Sequence, residues 1–139
     1  MKTSIRLLML AMLTGIMQST ANQCFAQADD AILHVTILDE ETHHATPVRI
    51  HLSAKDCGSA GLPPEAIGVM YGRNDRPEGY GYQPDSSFYV NGLFSLNLEP
   101  GEYKLTLSKG IEYLDQVHTV QMDEDVQNLM FSMKRWIHM

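Results

Sequence analysis

FSLNLEPGEYKLTLSKGIEY, residues 94–113, is the stretch whose reading decides the fold. Phe94, Leu96 and Leu98 alternate with polar residues up to Pro100-Gly101, and Tyr103, Leu105 and Leu107 resume the alternation beyond it. A period of two marks half-buried strands, so the stretch predicts two strands joined by a tight turn, a hairpin with one apolar face. A hairpin is marginal alone in water, and the rest of the chain must supply strands to cover that face. Pro100 and Gly101 set the turn, and the alternation sends the Tyr103 ring inward. Its hydroxyl is then expected to find a backbone partner in the core or at a corner.

The same alternation recurs on both sides. Ile32 to Leu38 turns Leu33, Val35 and Ile37 to one face, and Val48, Ile50 and Leu52 form the inward set of a second strand that opens after Pro47. Phe88 to Val90 and Phe94 to Leu98 flank Asn91-Gly92, a turn dipeptide that tolerates positive φ. Downstream, Val117 to Met122 is broken by His118 and Thr119, and Val126 to Lys134 places Leu129, Phe131 and Met133 on one face. Acidic turns, Asp39-Glu40-Glu41 and Asp123-Glu124-Asp125, separate these segments. About seven short strands at this spacing, with no amphipathic helix pattern, predict an all-β fold, a single antiparallel β-sandwich.

The amino terminus reads as an export signal. Lys2 and Arg6 precede an apolar run from Leu7 to Met17, and Ala26-Gln27-Ala28 offers small residues for cleavage after residue 28. The run is too short to span a bilayer, which takes roughly 20 residues, so no membrane span is expected. Gln23 before Cys24 does not suit a lipoprotein signal. Of the 139 residues, 28 leave with the signal and 111 remain, enough for one domain destined for secretion or the periplasm. Losing Lys2 and Arg6 leaves eight basic against 17 acidic side chains, a net charge of −9, which repels nucleic acid and anionic membrane surfaces. Cys57 is then the only cysteine, so no intrachain disulfide forms and the thiol is read as structural or incidental.

Lys55 to Ser87 is the irregular part, rich in Gly and Pro, with a short strand expected at Ile67 to Tyr71. A connection this long is usually functional or covered by something else. Tyr71, Tyr80 and Tyr82 lie among Arg73, Asn74 and Arg76, the composition of a binding or docking surface, or of a lid on one end of the sandwich. Arg135-Trp136-Ile137-His138-Met139 places a Trp and an Ile after the last strand with no sheet left to finish, so Arg135 and Trp136 join the candidate surface.

Pro100-Gly101-Glu102-Tyr103, set between Leu96, Leu98 and Leu105, Leu107, resembles the turn of carboxypeptidase-regulatory-like domains, which have a transthyretin-like (prealbumin-like) sandwich. Gly92-Leu93-Phe94, Lys109-Gly110-Ile111-Glu112-Tyr113 and Lys134-Arg135-Trp136-Ile137 together look like the leader domain of secreted metallohydrolases of the polymerase-and-histidinol-phosphatase (PHP) superfamily, the carbaryl-esterase-like group. The resemblance spans roughly residues 32–139. It implies a sandwich over 29–134, then from 135 a linker to a metal-binding hydrolase domain whose His-x-His motif is not in this sequence. No metal ligand or cofactor is carried over, and the expected role is that of a non-catalytic accessory domain that packs on a hydrolase domain or another protein. The alternative is a free-standing extracellular module for carbohydrate or protein.

The residues themselves argue for no catalytic set. His34 and His51 sit on the polar faces of different strands, His43 and His44 are adjacent, and His118 and His138 are distant, without the i, i+2 or i, i+4 spacing of metal ligands. A two-ligand site remains open if His34 and His51 meet across paired strands. The Tyr-Arg-Gly-Ser ending of hydroxyisourate hydrolases, another transthyretin-like group, is replaced here by Arg-Trp-Ile-His-Met. Neither a nucleophile elbow nor a phosphate-cradling glycine loop is recognisable.

Overall fold

In the computed structural model the described residues are 30–55, 60–123 and 125–137; the expected export signal, Cys24, Cys57 and His138 lie outside them. Seven strands follow the alternation: β1 (Ala31–Asp39), β2 (Val48–Ala54), β3 (Phe88–Val90), β4 (Leu93–Leu98), β5 (Gly101–Ser108), β6 (Gln116–Met122) and β7 (Val126–Met133). They form two sheets, β4-β1-β7 and β3-β2-β5-β6, and no helix occurs among the described residues. The inward sets named from sequence are the core: Leu33, Val35 and Ile37 of β1 lie against Val48, Ile50, Leu52, Leu105 and Leu107 of the opposite sheet, all buried. Each such side chain contributes about 1.5–3 kcal/mol by leaving water. Phe88 of β3 and Phe94 of β4 meet edge to face across the two sheets, with centroids 5.7 Å apart and planes at 83°.

The pairing of these strands differs from the sequence reading in three places. β4 and β5 do not pair: β4 pairs with β1, while β5 lies between β2 and β6. Pro100-Gly101 is therefore a corner between sheets and not a hairpin turn. Alternation says which residues face inward, and two strands in opposite sheets satisfy it as well as two neighbours in one sheet. Asn91-Gly92 likewise carries the chain from one sheet to the other. Gly92 has φ 81°, its carbonyl accepts the Ile37 amide at 2.7 Å, and a Cβ there would stand 2.6 Å from the Thr46 nitrogen, so only glycine fits. Finally, β1 and β7 run parallel, so the sandwich is not wholly antiparallel. Parallel neighbours require a long crossover, and nearly the whole domain lies between these two strands.

The expected strand at Ile67 to Tyr71 is replaced by two isolated bridges, Ile67 to Tyr89 and Val69 to Tyr80. The two bridges lie on either side of Gly68, where the Glu78 backbone crosses too closely for any side chain.

Tyr103 bears out its sequence reading. It is 7% exposed, and its hydroxyl donates to the Glu99 carbonyl at 2.8 Å, tying the corner that Pro100 opens. Tyr103→Phe should lower stability in urea by about 0.5–1.5 kcal/mol, the value of one hydrogen bond. Tyr103→Ala should cost about 3–5 kcal/mol, as aromatic truncations in cores do. Equal losses from the two variants would show that the ring itself is not what holds the corner.

Candidate functional site

The long connection between β2 and β3 folds into a strap over one edge of the sandwich. Val69 and Tyr80 exchange two backbone hydrogen bonds of 3.0 Å, and Ile67 donates to the Tyr89 carbonyl at 2.8 Å. The strap closes so tightly that a Cβ on Gly68 would stand 1.7 Å from the Glu78 oxygen. Asp75 then accepts the amides of Tyr71 and Gly72 at 2.5 and 2.6 Å and sets the tip. On this frame Tyr71 and Tyr80 lie side by side, centroids 6.1 Å apart at 38°, with the Arg76 guanidinium 5.6 Å above Tyr80. Tyr71 is 59% exposed, and Arg73 is exposed on the same strap.

Tyr82 does not join this platform. Its hydroxyl donates to the Ala60 carbonyl at 2.5 Å and its ring packs edge-on against Phe88, so it acts as the lid that the composition also allowed. Beside the strap, Arg49 on the outer face of β2 donates to Ser87 at 2.7 Å and to Asp85 at 2.5 Å. The Ser87 hydroxyl, then Arg49, holds the Asp85 carboxyl down to about 2. These groups border an open groove of about 320 Å³ that also includes His51 and Thr106.

Arg135 and Trp136 belong to a second cluster, which sequence reasoning did not assemble. Asp39, at the end of β1, is buried and accepts the Tyr113 hydroxyl at 2.6 Å, the amides of Glu41 and Thr42 at 3.1 Å and the Thr42 hydroxyl at 3.3 Å. The Lys109 ammonium lies 3.7 Å from the same carboxylate and 4.1 Å from the Tyr113 ring centroid, and it donates to the Thr46 hydroxyl. Arg135 donates to the Tyr113 oxygen at 2.7 Å, and its guanidinium lies 5.1 Å from the ring centroid. Tyr113 is thus clasped by two cations and by Asp39. A phase signal for this cluster exists in the sequence: Asp39 continues the inward series Leu33, Val35, Ile37, and Arg135 continues Leu129, Phe131, Met133.

The network pins the segment after β7. Leu114 donates to the Lys134 carbonyl at 3.0 Å, Trp136 donates through its amide to Glu112 and through its indole to the Ile111 carbonyl, each at 2.9 Å. Trp136 nevertheless stays 57% exposed, beside Ile111 at 77%. An open groove of about 500 Å³ lies between Lys109, Ile111, Glu112 and Arg135.

Within this network the Asp39 carboxylate is fully partnered, whereas the Arg135 Nε is buried without a hydrogen bond, 3.7 Å from the Glu112 carboxylate. The Asp39 carboxyl is held well below the usual range, by the Tyr113 hydroxyl first and the Thr42 amide next, against the cost of burial. A carboxylate with this many donors is not poised to take a proton near neutral pH. His34 and His51 do not meet: they lie on the outer faces of different sheets, and His34 is hydrogen-bonded to Ser95 at 2.7 Å. Among the described residues no three His, Cys, Asp or Glu side chains converge as metal ligands, and no helix is long and apolar enough to cross a membrane. The chain matches no protein-family model, no curated protein and no solved structure at a significant level.

Folded Asp39 binds its proton more weakly than unfolded Asp39, so its contribution is complete above the ordinary value of 3.8 and is lost as pH falls below it. Urea melts between pH 6 and pH 2 should show stability dropping below about pH 4. Asp39→Asn should lose about 1–3 kcal/mol at pH 7 and show a shallower acid slope. An unchanged slope in the variant would place the acid-sensitive group elsewhere.

Proposed function

We propose that this protein is a non-catalytic β-sandwich accessory domain of an exported protein, and that it docks a protein partner through the end that carries Ile111, Arg135 and Trp136. The observation that carries the reading is the state of Trp136: its backbone and indole nitrogen are both hydrogen-bonded, yet more than half of the side chain faces water. An indole held in place before binding loses little conformational freedom on docking, which is the property of an interface anchor. The resemblance to the leader domains of PHP-type metallohydrolases supports a hydrolase domain as the partner, with Arg135-Trp136 at the seam. The chemistry then belongs to the partner, and this domain supplies surface.

A second reading, binding of carbohydrate, is favoured by the Tyr71–Tyr80 pair. The strap holds two aromatic faces in fixed orientation beside the hydrogen-bonding groups of Arg49 and Asp85.

Trp136 is the only tryptophan, so its emission reports the docking end directly. Titration with a PHP-type hydrolase domain from the same organism should shift the emission to the blue and protect it from iodide. Trp136→Ala should weaken binding by about 2 kcal/mol or more, as for an interface anchor. Emission unmoved by the hydrolase domain, together with a neutral polysaccharide that binds the protein and is lost in Tyr71→Ala, would replace the first reading with the second.

A further inference from the structure

Each sheet has two edge strands, and unpaired edges invite association unless they are short, charged or covered. β3 has three residues and is bridged on its far side by Ile67. On β4, the Glu65 carboxylate accepts the Ser95 amide at 3.3 Å. β6 and β7 are longer, at seven and eight residues. They close the same side of the sandwich, where His118 stacks on Phe131 with centroids 4.4 Å apart. Residues 116–122 and 126–133 contain no charged side chain and no proline, in a chain with 10 basic and 17 acidic residues. Charge depletion of this kind marks the centre of an interface more than a solvated face.

The register of β7 shows which backbone groups are free. Ile32 donates to the Asp125 carbonyl at 2.8 Å and Glu40 to the Met133 carbonyl at 3.1 Å, so the odd-numbered carbonyls of β7 point to β1. The even-numbered residues point away from it. Ser132 and Lys134 already have partners there: the Gln116 side chain donates to the Ser132 carbonyl at 2.7 Å and Leu114 to that of Lys134 at 3.0 Å. Val126, Asn128 and Met130 therefore form the open part of the edge, and Val126 and Met130 are exposed on the outer face of the sheet.

We propose that this edge is a homodimer interface, in which β7 pairs antiparallel with β7 of a second copy about a two-fold axis at Asn128. Asn128 then faces Asn128, and Val126 faces Met130 in both directions. The outward amides and carbonyls of all three residues are satisfied, and Ser132 and Lys134 keep their existing partners. Antiparallel pairing is selected by charge. β7 begins beside Asp123 and Asp125 and ends at Lys134, which is exposed, so an antiparallel pair brings each lysine toward these acids of the other copy. Parallel pairing would set the acids of the two copies side by side. A closed two-fold contact of this kind also uses up the β7 edge, so that this strand has none left to propagate.

Sedimentation equilibrium of the purified protein at 5–100 µM tests the proposal. The expected mass is twice that of the monomer. Asn128→Pro removes an amide that makes no bond to β1, and Met130→Lys puts a charge on the free edge. Each should raise the dissociation constant at least a hundredfold while leaving the strand-type circular dichroism unchanged. If Asn128→Pro fails to fold, Met130→Lys alone carries the comparison. Asn128→Cys, with Cys24 and Cys57 replaced by Ser, should form a disulfide-linked dimer on mild oxidation. A wild-type protein that is monomeric throughout this range, or a dimer that survives Met130→Lys, would overturn the proposal.

Discussion

Everything in this domain is arranged around the burial of one strand face. Leu33, Val35 and Ile37 of β1 are removed from water almost completely, with β4 and β7 hydrogen-bonded along both edges and the β2–β5 layer in front. The three-stranded sheet has an apolar face to remove from water, so the four-stranded layer covers it, and the chain achieves this by changing sheets repeatedly. The corners at Gly92 and Pro100-Gly101 are consequences of that demand. Gly92 is required because two backbone segments pass where its side chain would be, and Tyr103 closes the second corner by bonding back to Glu99.

The same strand connects the core to the surface. The inward phase of β1 ends on Asp39 and that of β7 leads to Arg135, and because these strands run parallel the two polar residues arrive at the same end of the sandwich. A buried carboxylate is tolerated only when it is fully hydrogen-bonded, and here Tyr113, Thr42 and Glu41 supply the donors with Lys109 beside them. Tyr113 in turn accepts from Arg135, which holds the next residue, Trp136, at the surface. A packing constraint in the core thus becomes an ordered aromatic on the outside.

The fold class and the inward residues were legible because alternation reports directly on burial, as at Val48, Ile50 and Leu52. Pairing was not legible: nothing in Phe94 to Leu107 distinguishes a hairpin from a corner, since both put the same side chains inside. The strap illustrates the limit at a site. Tyr71 and Tyr80 come together because Gly68 permits a close crossing, whereas Tyr82, equally aromatic and only two residues from Tyr80, turns to Phe88. Trp136 is exposed, but its partners, Ile111 and Glu112, are 24 or more residues away and join it only through the Asp39 network, which no local pattern announces.

Asp39 and Tyr113 hold Trp136 in place from within. Amide hydrogen exchange followed by NMR tests it most directly, through the amides of Leu114 and Trp136. Both amides should be protected in the wild-type protein and lose that protection selectively in Tyr113→Phe, while amides in β2 and β5 remain protected. Exchange of the Trp136 amide at the rate of an unstructured peptide in the wild type, or its protection unchanged in Tyr113→Phe, would contradict it.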